Sequence, residues 1–110
     1  MTSVSRLRPE RVLGPLQAIS DETRLKVLQI LTGGERCVCQ LTASLDVSQP
    51  LLSHHLKTLR EAGLVRGRKQ GRWMYYTLDR DALAAVRNAV DGLLSAYEES
   101  ARLGRPGCEC

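Results

Sequence analysis

A chain of 110 residues, 43% hydrophobic and 25% charged, has room for one domain around one modest core. No apolar run is long enough to span a bilayer, and Met1 to Pro15 lacks a signal-peptide core, so a cytoplasmic address with no membrane partner is expected. The net charge of +4 is unevenly placed: Lys57, Arg60, Arg66, Arg68, Lys69 and Arg72 face only Glu61 between positions 57 and 72, which leaves the rest slightly acidic. A confined basic stripe suits a phosphate-binding surface, and a merely solvated basic face suits it equally until local structure is considered.

Val12, Leu13, Leu16 and Ile19 recur at helical spacing and predict a first helix from about Pro9 to Ile19. Ser20 or Asp21 can cap a second helix, with Asp21 and Glu22 near its positive end. Leu25, Leu28 and Leu31 supply its apolar stripe, and Gly33-Gly34 stop it. A short extended piece then leads to a third helix, Gln40 to Leu45, followed by a tight turn at Asp46-Val47. Ser48 is a good cap for a fourth helix, with Pro50 in its first turn and Gly63 just beyond its end near Ala62. Leu64-Val65, a turn at Gln70-Gly71 and Trp73 to Thr77 read as a hairpin with a basic tip. Leu83, Val86, Val90, Leu93, Leu94 and Tyr97 mark a long last helix, which Gly104 to Gly107 break. The expected division is one domain over 1–103 and a flexible tail over 104–110.

A short helix, a tight turn, a longer helix and a basic hairpin in that order make a winged helix-turn-helix. The expected fold is therefore mainly α with a small β-hairpin. On the fourth helix, Leu52, Leu56 and Leu59 share one side, while Gln49, Ser53, Lys57 and Arg60 gather on another. That second face suits a major groove: Gln can pair with adenine, Ser can bond a base edge or phosphate, and Lys and Arg can hold phosphates. Ser48 and His54 lie on the same outward side, whereas His55 points back toward the leucines as a partly buried core histidine. Arg68, Lys69 and Arg72 at the hairpin tip are placed to follow the adjacent DNA backbone or minor groove. The first and last helices carry more apolar surface than a small core needs, so a dimer about a two-fold axis is expected on a roughly palindromic double-stranded operator.

The sequence resembles the ArsR/SmtB family of metal-sensing repressors over nearly its whole length. The likeness rests on Ile19 to Leu28 (ISDETRLKVL), Cys37 to Leu41 (CVCQL), Ser48 to Lys57 (SQPLLSHHLK) and Leu59 to Val65 (LREAGLV). The resemblance implies a homodimer that represses its own resistance operon until an inducer binds.

The four cysteines form two Cys-x-Cys pairs, Cys37/Cys39 and Cys108/Cys110. In a reducing compartment, clustered cysteines point to metal binding or redox chemistry rather than to structural disulfides. Residues i and i+2 diverge on a helix but share a side in an extended segment, where Cys37-Val38-Cys39 is expected to lie. Cys39 would then sit near the start of the third helix, which stabilises a thiolate; small core residues at a strand-to-helix junction are the plainer reading. Thiolates favour soft acceptors, and the arsenic-responsive pattern of the family implies As(III) or Sb(III) as inducer. That pattern has a third cysteine where this chain has Thr42, so Cys108 or Cys110, from the same chain or the partner, is expected to complete a three-sulfur site, unless the tail is simply a disordered end. Two Cys-x-Cys pairs can also build a four-sulfur Cd(II), Pb(II) or Zn(II) site. The family's other site, on the last helix, is not expected, because Asp91, Glu98 and Glu99 have no histidine beside them. A thiol redox sensor on the same fold is the alternative signal. An enzyme is disfavoured, since no Cys-x-x-Cys, catalytic base pair or phosphate-type loop accompanies the cysteines.

Overall fold

The structure, a computed structural model, describes residues 8–104. Its elements run α1 (Pro9–Ile19), α2 (Glu22–Leu31), β1 (Arg36–Cys37), α3 (Val38–Ser44), α4 (Gln49–Glu61), β2 (Val65–Gln70), β3 (Trp73–Leu78) and α5 (Arg80–Arg102). The strands form one antiparallel sheet in the order β1-β3-β2. This is a mainly helical winged helix-turn-helix, with α3 and α4 as the helix pair and β2–β3 as the wing.

Local chemistry sets the element ends. The Asp21 side chain caps α2 by accepting the Arg24 N–H at 3.0 Å. Ser48 caps α4 through the Leu51 N–H. At the far end of α4, Gly63 takes a left-handed φ of 80°. Its N–H reaches the Arg60 carbonyl, and the Leu64 N–H reaches Leu59, the paired bonds of a Schellman motif closed by two fully buried leucines. Asp79 caps α5, and its N–H donates to the Leu64 carbonyl at 2.8 Å, tying the end of the wing to the end of α4.

Two expectations about these elements need correction, and one is made more specific. The wing turn is Gly71-Arg72 rather than Gln70-Gly71, because Gln70 pairs with Trp73. Gly71, with φ of 62°, is needed at the first central position of the tight turn. The extended piece before α3 is a true strand: Arg36 pairs with Tyr76 and Cys37 with Tyr75. The third helix begins at Val38, not Gln40, and ends at Ser44. The Gln40 side chain folds back to accept the Cys37 N–H at 2.9 Å, half of a capping box that starts the helix early.

The core lies between α2, α3, α4 and the sheet. Val27, Leu28, Leu31, Leu41, Leu52, Leu56, Leu59, Leu64, Val65 and Tyr76 are buried in it. Each leucine so enclosed contributes about 1.5–3 kcal/mol of transfer free energy. Gly67 sits opposite Tyr76, and a Cβ there would come within 3.2 Å of the tyrosine ring. Leu25 is 46% exposed, so Val27 rather than Leu25 completes the buried stripe of α2. In α1 the inward residues are Val12, Pro15 and Ala18, while Leu13 and Leu16 turn outward. No residue of α5 is buried.

Candidate nucleic-acid interface and cysteine site

The recognition helix α4 separates its faces cleanly. Leu52, His55, Leu56 and Leu59 are buried, whereas Ser48, Gln49, Ser53, His54, Lys57 and Arg60 are exposed. The hydroxyl oxygen of Ser48 is engaged by the Leu51 N–H, which leaves its own hydrogen free to donate outward. Gln49 and Ser53 border an open groove of about 470 Å³ whose other walls include Arg72, Trp73 and Met74 of the wing and Val38, Cys39 and Thr42 of α3.

The basic residues of this region fall into two groups. Arg66 pairs with Asp79 at 3.3 Å, and Arg68 with Glu35 at 2.9 Å. Lys57, Arg60, Lys69 and Arg72 make no ion pair among the described residues, and all are exposed. They form the available cationic surface around the recognition helix and wing tip. The guanidinium of Arg72 also lies 5.6 Å from the centre of the half-exposed Trp73 ring.

His55 has the core position its spacing suggested, and a polar clamp holds it there. Arg24 donates from Nε to the Ala18 carbonyl at 2.6 Å, and its Nη1 lies 3.1 Å from His55 Nδ1. Arginine can only donate, so Nδ1 accepts and the imidazole carries its proton on Nε2. The carboxylate of Asp21 lies 3.9 Å from the same nitrogen. The backbone N–H of Arg24 at the helix cap, with smaller help from the charge of Arg24, holds the Asp21 carboxyl below its usual range. Thus the end of α1, the start of α2 and the inner face of α4 share one junction. The sequence reading missed Arg24, whose role depends on contacts 31 residues away.

Cys37 ends β1 in an extended conformation and occupies the cap position of α3, while Cys39 is already helical. Uniform extension, expected from spacing, is therefore corrected. The pair converges because the chain turns from strand to helix between them, with Cα atoms 5.3 Å apart. Their sulfurs are joined as a disulfide, where two free thiolates were expected. Cys37 is buried, whereas Cys39 is exposed and borders the groove beside the recognition helix. Reduced, the same pair presents two sulfurs to one acceptor at the N-terminus of α3.

Thr42 borders the same groove one helical turn after Cys39, and its hydroxyl donates to the Val38 carbonyl at 2.9 Å. The place of a third helical ligand is thus held by an internally bonded hydroxyl. Among the described residues, no three His, Cys, Asp or Glu side chains are grouped to share a metal ion. Cys108 and Cys110 lie outside the described residues. Gln40, which pins the backbone of Cys37, was also missed, although Cys37-x-x-Gln40 has the spacing of a capping box.

Residues 21–66, from the α2 cap to the start of the wing, match the family model described as bacterial regulatory protein, arsR family. The chain is 40% identical over 96 residues to the arsenical resistance operon repressor of Escherichia coli, with 82% of each protein covered. It is 40% identical over 84 residues to an arsenic resistance transcriptional regulator of Pseudomonas putida, covering 76% of this chain and 66% of that protein. Among solved structures, a possible transcriptional regulator for arsenical resistance superposes with a TM-score of 0.67 at 39% identity, over 89% of this chain and all of the other. The chain therefore belongs to the arsR family and is a winged helix-turn-helix transcriptional regulator.

Proposed function

We propose that this protein represses a metal(loid) resistance operon as a homodimer in the cytoplasm, and leaves its operator when As(III) or Sb(III) binds reduced Cys37 and Cys39. The observation that carries this reading is the convergence of the two cysteines at the first turn of α3, beside the recognition helix. Cys39 shares a groove with Gln49 and Ser53, so a ligand held there bears directly on the position of α4. The names of the Escherichia coli and Pseudomonas putida relatives point to the same class of inducer.

On DNA, Gln49, Ser53 and His54 face base edges, with Ser48, Lys57 and Arg60 on flanking phosphates and Lys69 and Arg72 following the backbone from the wing. The dimer forms through α1 and α5. Val90, Leu93, Leu94 and Tyr97 are at least half exposed along α5, and Leu13 and Leu16 join Val90 and Leu93 in a groove with only apolar lining. Two thiolates leave trivalent arsenic one sulfur short, and Thr42 cannot supply it. Cys108 or Cys110, from either protomer, completes the site. A typical allosteric coupling of about 1–3 kcal/mol would weaken operator binding roughly five- to 150-fold.

The test is a mobility-shift titration in reductant with As(III), Sb(III), Cd(II), Pb(II) and Zn(II), repeated on Cys108→Ser/Cys110→Ser. Release by As(III) and Sb(III), weakened in the tail variant, is expected. An unchanged As(III) response in that variant removes the tail from the site, and release by the divalent ions alone replaces the inducer class. The disulfide favours a second reading, a thiol redox sensor. Release by peroxide, together with indifference to As(III) under reduction, would select it.

A further inference from the structure

Arg68 is the one cation of the wing whose guanidinium is occupied on every nitrogen. Nε and Nη2 donate to the two carboxylate oxygens of Glu35 at 3.1 and 2.9 Å, and Nη1 donates to the Gln70 side chain. One face of the guanidinium lies 4.8 Å over the Tyr75 ring. In the sheet, Arg68 of β2 is opposite Tyr75 of β3, and Tyr75 is opposite Cys37 of β1. Glu35 precedes Cys37 by two residues, so the ion pair bridges from the approach to the cysteine strand, across β3, to the outer strand of the wing.

We infer that Glu35 is a positioning residue that holds Arg68 as a brace between the wing and the strand carrying Cys37. A displacement of β1 by a ligand on the cysteines then reaches the wing through the sheet, as well as reaching the recognition helix through α3. This deepens the cysteine-switch reading and rests on it for the ligand. Both side chains are substantially exposed, at 50% for Arg68 and 36% for Glu35, so the pair adds little to folding stability. Its value is geometric: a bidentate, stacked guanidinium fixes the angle of the strand that bears it. A phosphate would have to displace the Glu35 carboxylate to use Arg68. The role of Arg68 is therefore distinct from that of Lys69 and Arg72, which have no such partner among the described residues.

The test uses the full-length reduced protein, operator DNA and As(III), with the variants Glu35→Ala, Arg68→Gln and Arg68→Lys. Two quantities are read: the salt dependence of operator binding, and the ratio of operator Kd with and without saturating As(III). Arg68→Gln should leave the salt slope unchanged, whereas Lys69→Gln lowers it by about one. Glu35→Ala and Arg68→Lys should each reduce the As(III) ratio by about threefold or more. The double variant Glu35→Ala/Arg68→Gln should fall no further than either single change. A slope lowered by Arg68→Gln and restored by Arg68→Lys would make Arg68 an ordinary phosphate contact. An undiminished As(III) ratio in Glu35→Ala would show that the brace transmits nothing. If As(III) fails to release the wild type, the inducer reading fails instead, and the salt slope still decides whether Arg68 is held or contacts phosphate.

Discussion

In the unit built from α2, α3, α4 and the sheet, seven large side chains are completely enclosed, while along the 23 residues of α5 none is buried. The two regions have similar apolar periodicity in the sequence, yet only the first spends it inside one chain. The DNA-reading unit is a finished core, closed by the Leu59–Leu64 Schellman contact and the Arg24–His55 clamp. The α1–α5 layer leaves Leu13, Leu16, Val90, Leu93 and Leu94 exposed, the surface on which the proposed dimer rests. In the proposed dimer this division keeps the recognition helix rigid within each protomer, while the pairing of two copies sets the spacing between two such helices.

The largest expected effect lies in the finished core. Leu56→Ala should cost about 2–5 kcal/mol in urea unfolding, whereas Leu94→Ala, with half its surface already exposed, should cost much less in dilute protein. Equal losses would abolish the contrast. Leu93→Asp/Leu94→Asp should convert a dimer to a monomer in sedimentation while leaving the helical circular dichroism intact. Retention of the dimer would move the interface elsewhere.

A smaller effect is expected at the α2 cap, where Asp21→Ala removes the acceptor of the Arg24 N–H and should lower the melting temperature. The Asp21 carboxyl titrates below its unfolded value, so its contribution is complete above the ordinary carboxylate range and is lost as the pH falls through the lowered value. Asp21→Asn keeps a capping oxygen and should flatten that part of the acid dependence in thermal melts. The smallest effect separates free from paired cations. Lys57→Gln or Arg72→Gln should each lower the salt slope of operator binding by about one, and Arg66→Gln, already paired with Asp79, by less.

Much of the fold was legible because its signals are local. Pro9 and Ile19 bound α1 as read, Ser48 caps α4, and Gly63 ends it, each through chemistry confined to a few residues. The inward histidine was legible from the spacing of the leucines around it. What escaped depends on distant partners or on very short elements. A two-residue strand has no alternation to read, so β1 was seen only as extended chain. Leu13, Leu16 and Leu25 carry the same apolar signal as buried leucines, and periodicity cannot say whether the covering surface belongs to the same chain. The exposed polar residues of α4 were separable by helical geometry, but the division of the wing cations into paired and free was not. It follows from Glu35 and Asp79, which approach from 33 and 13 residues away.

The measurement that bears most directly on the switch is equilibrium binding of a labelled operator by fluorescence anisotropy, in reductant, with and without As(III). Wild type and Cys37→Ser/Cys39→Ser should bind the DNA with similar affinity when As(III) is absent. Adding As(III) should weaken the wild type roughly five- to 150-fold and leave the serine variant bound. Equal release of both proteins, or release of neither, would contradict a switch seated at Cys37 and Cys39.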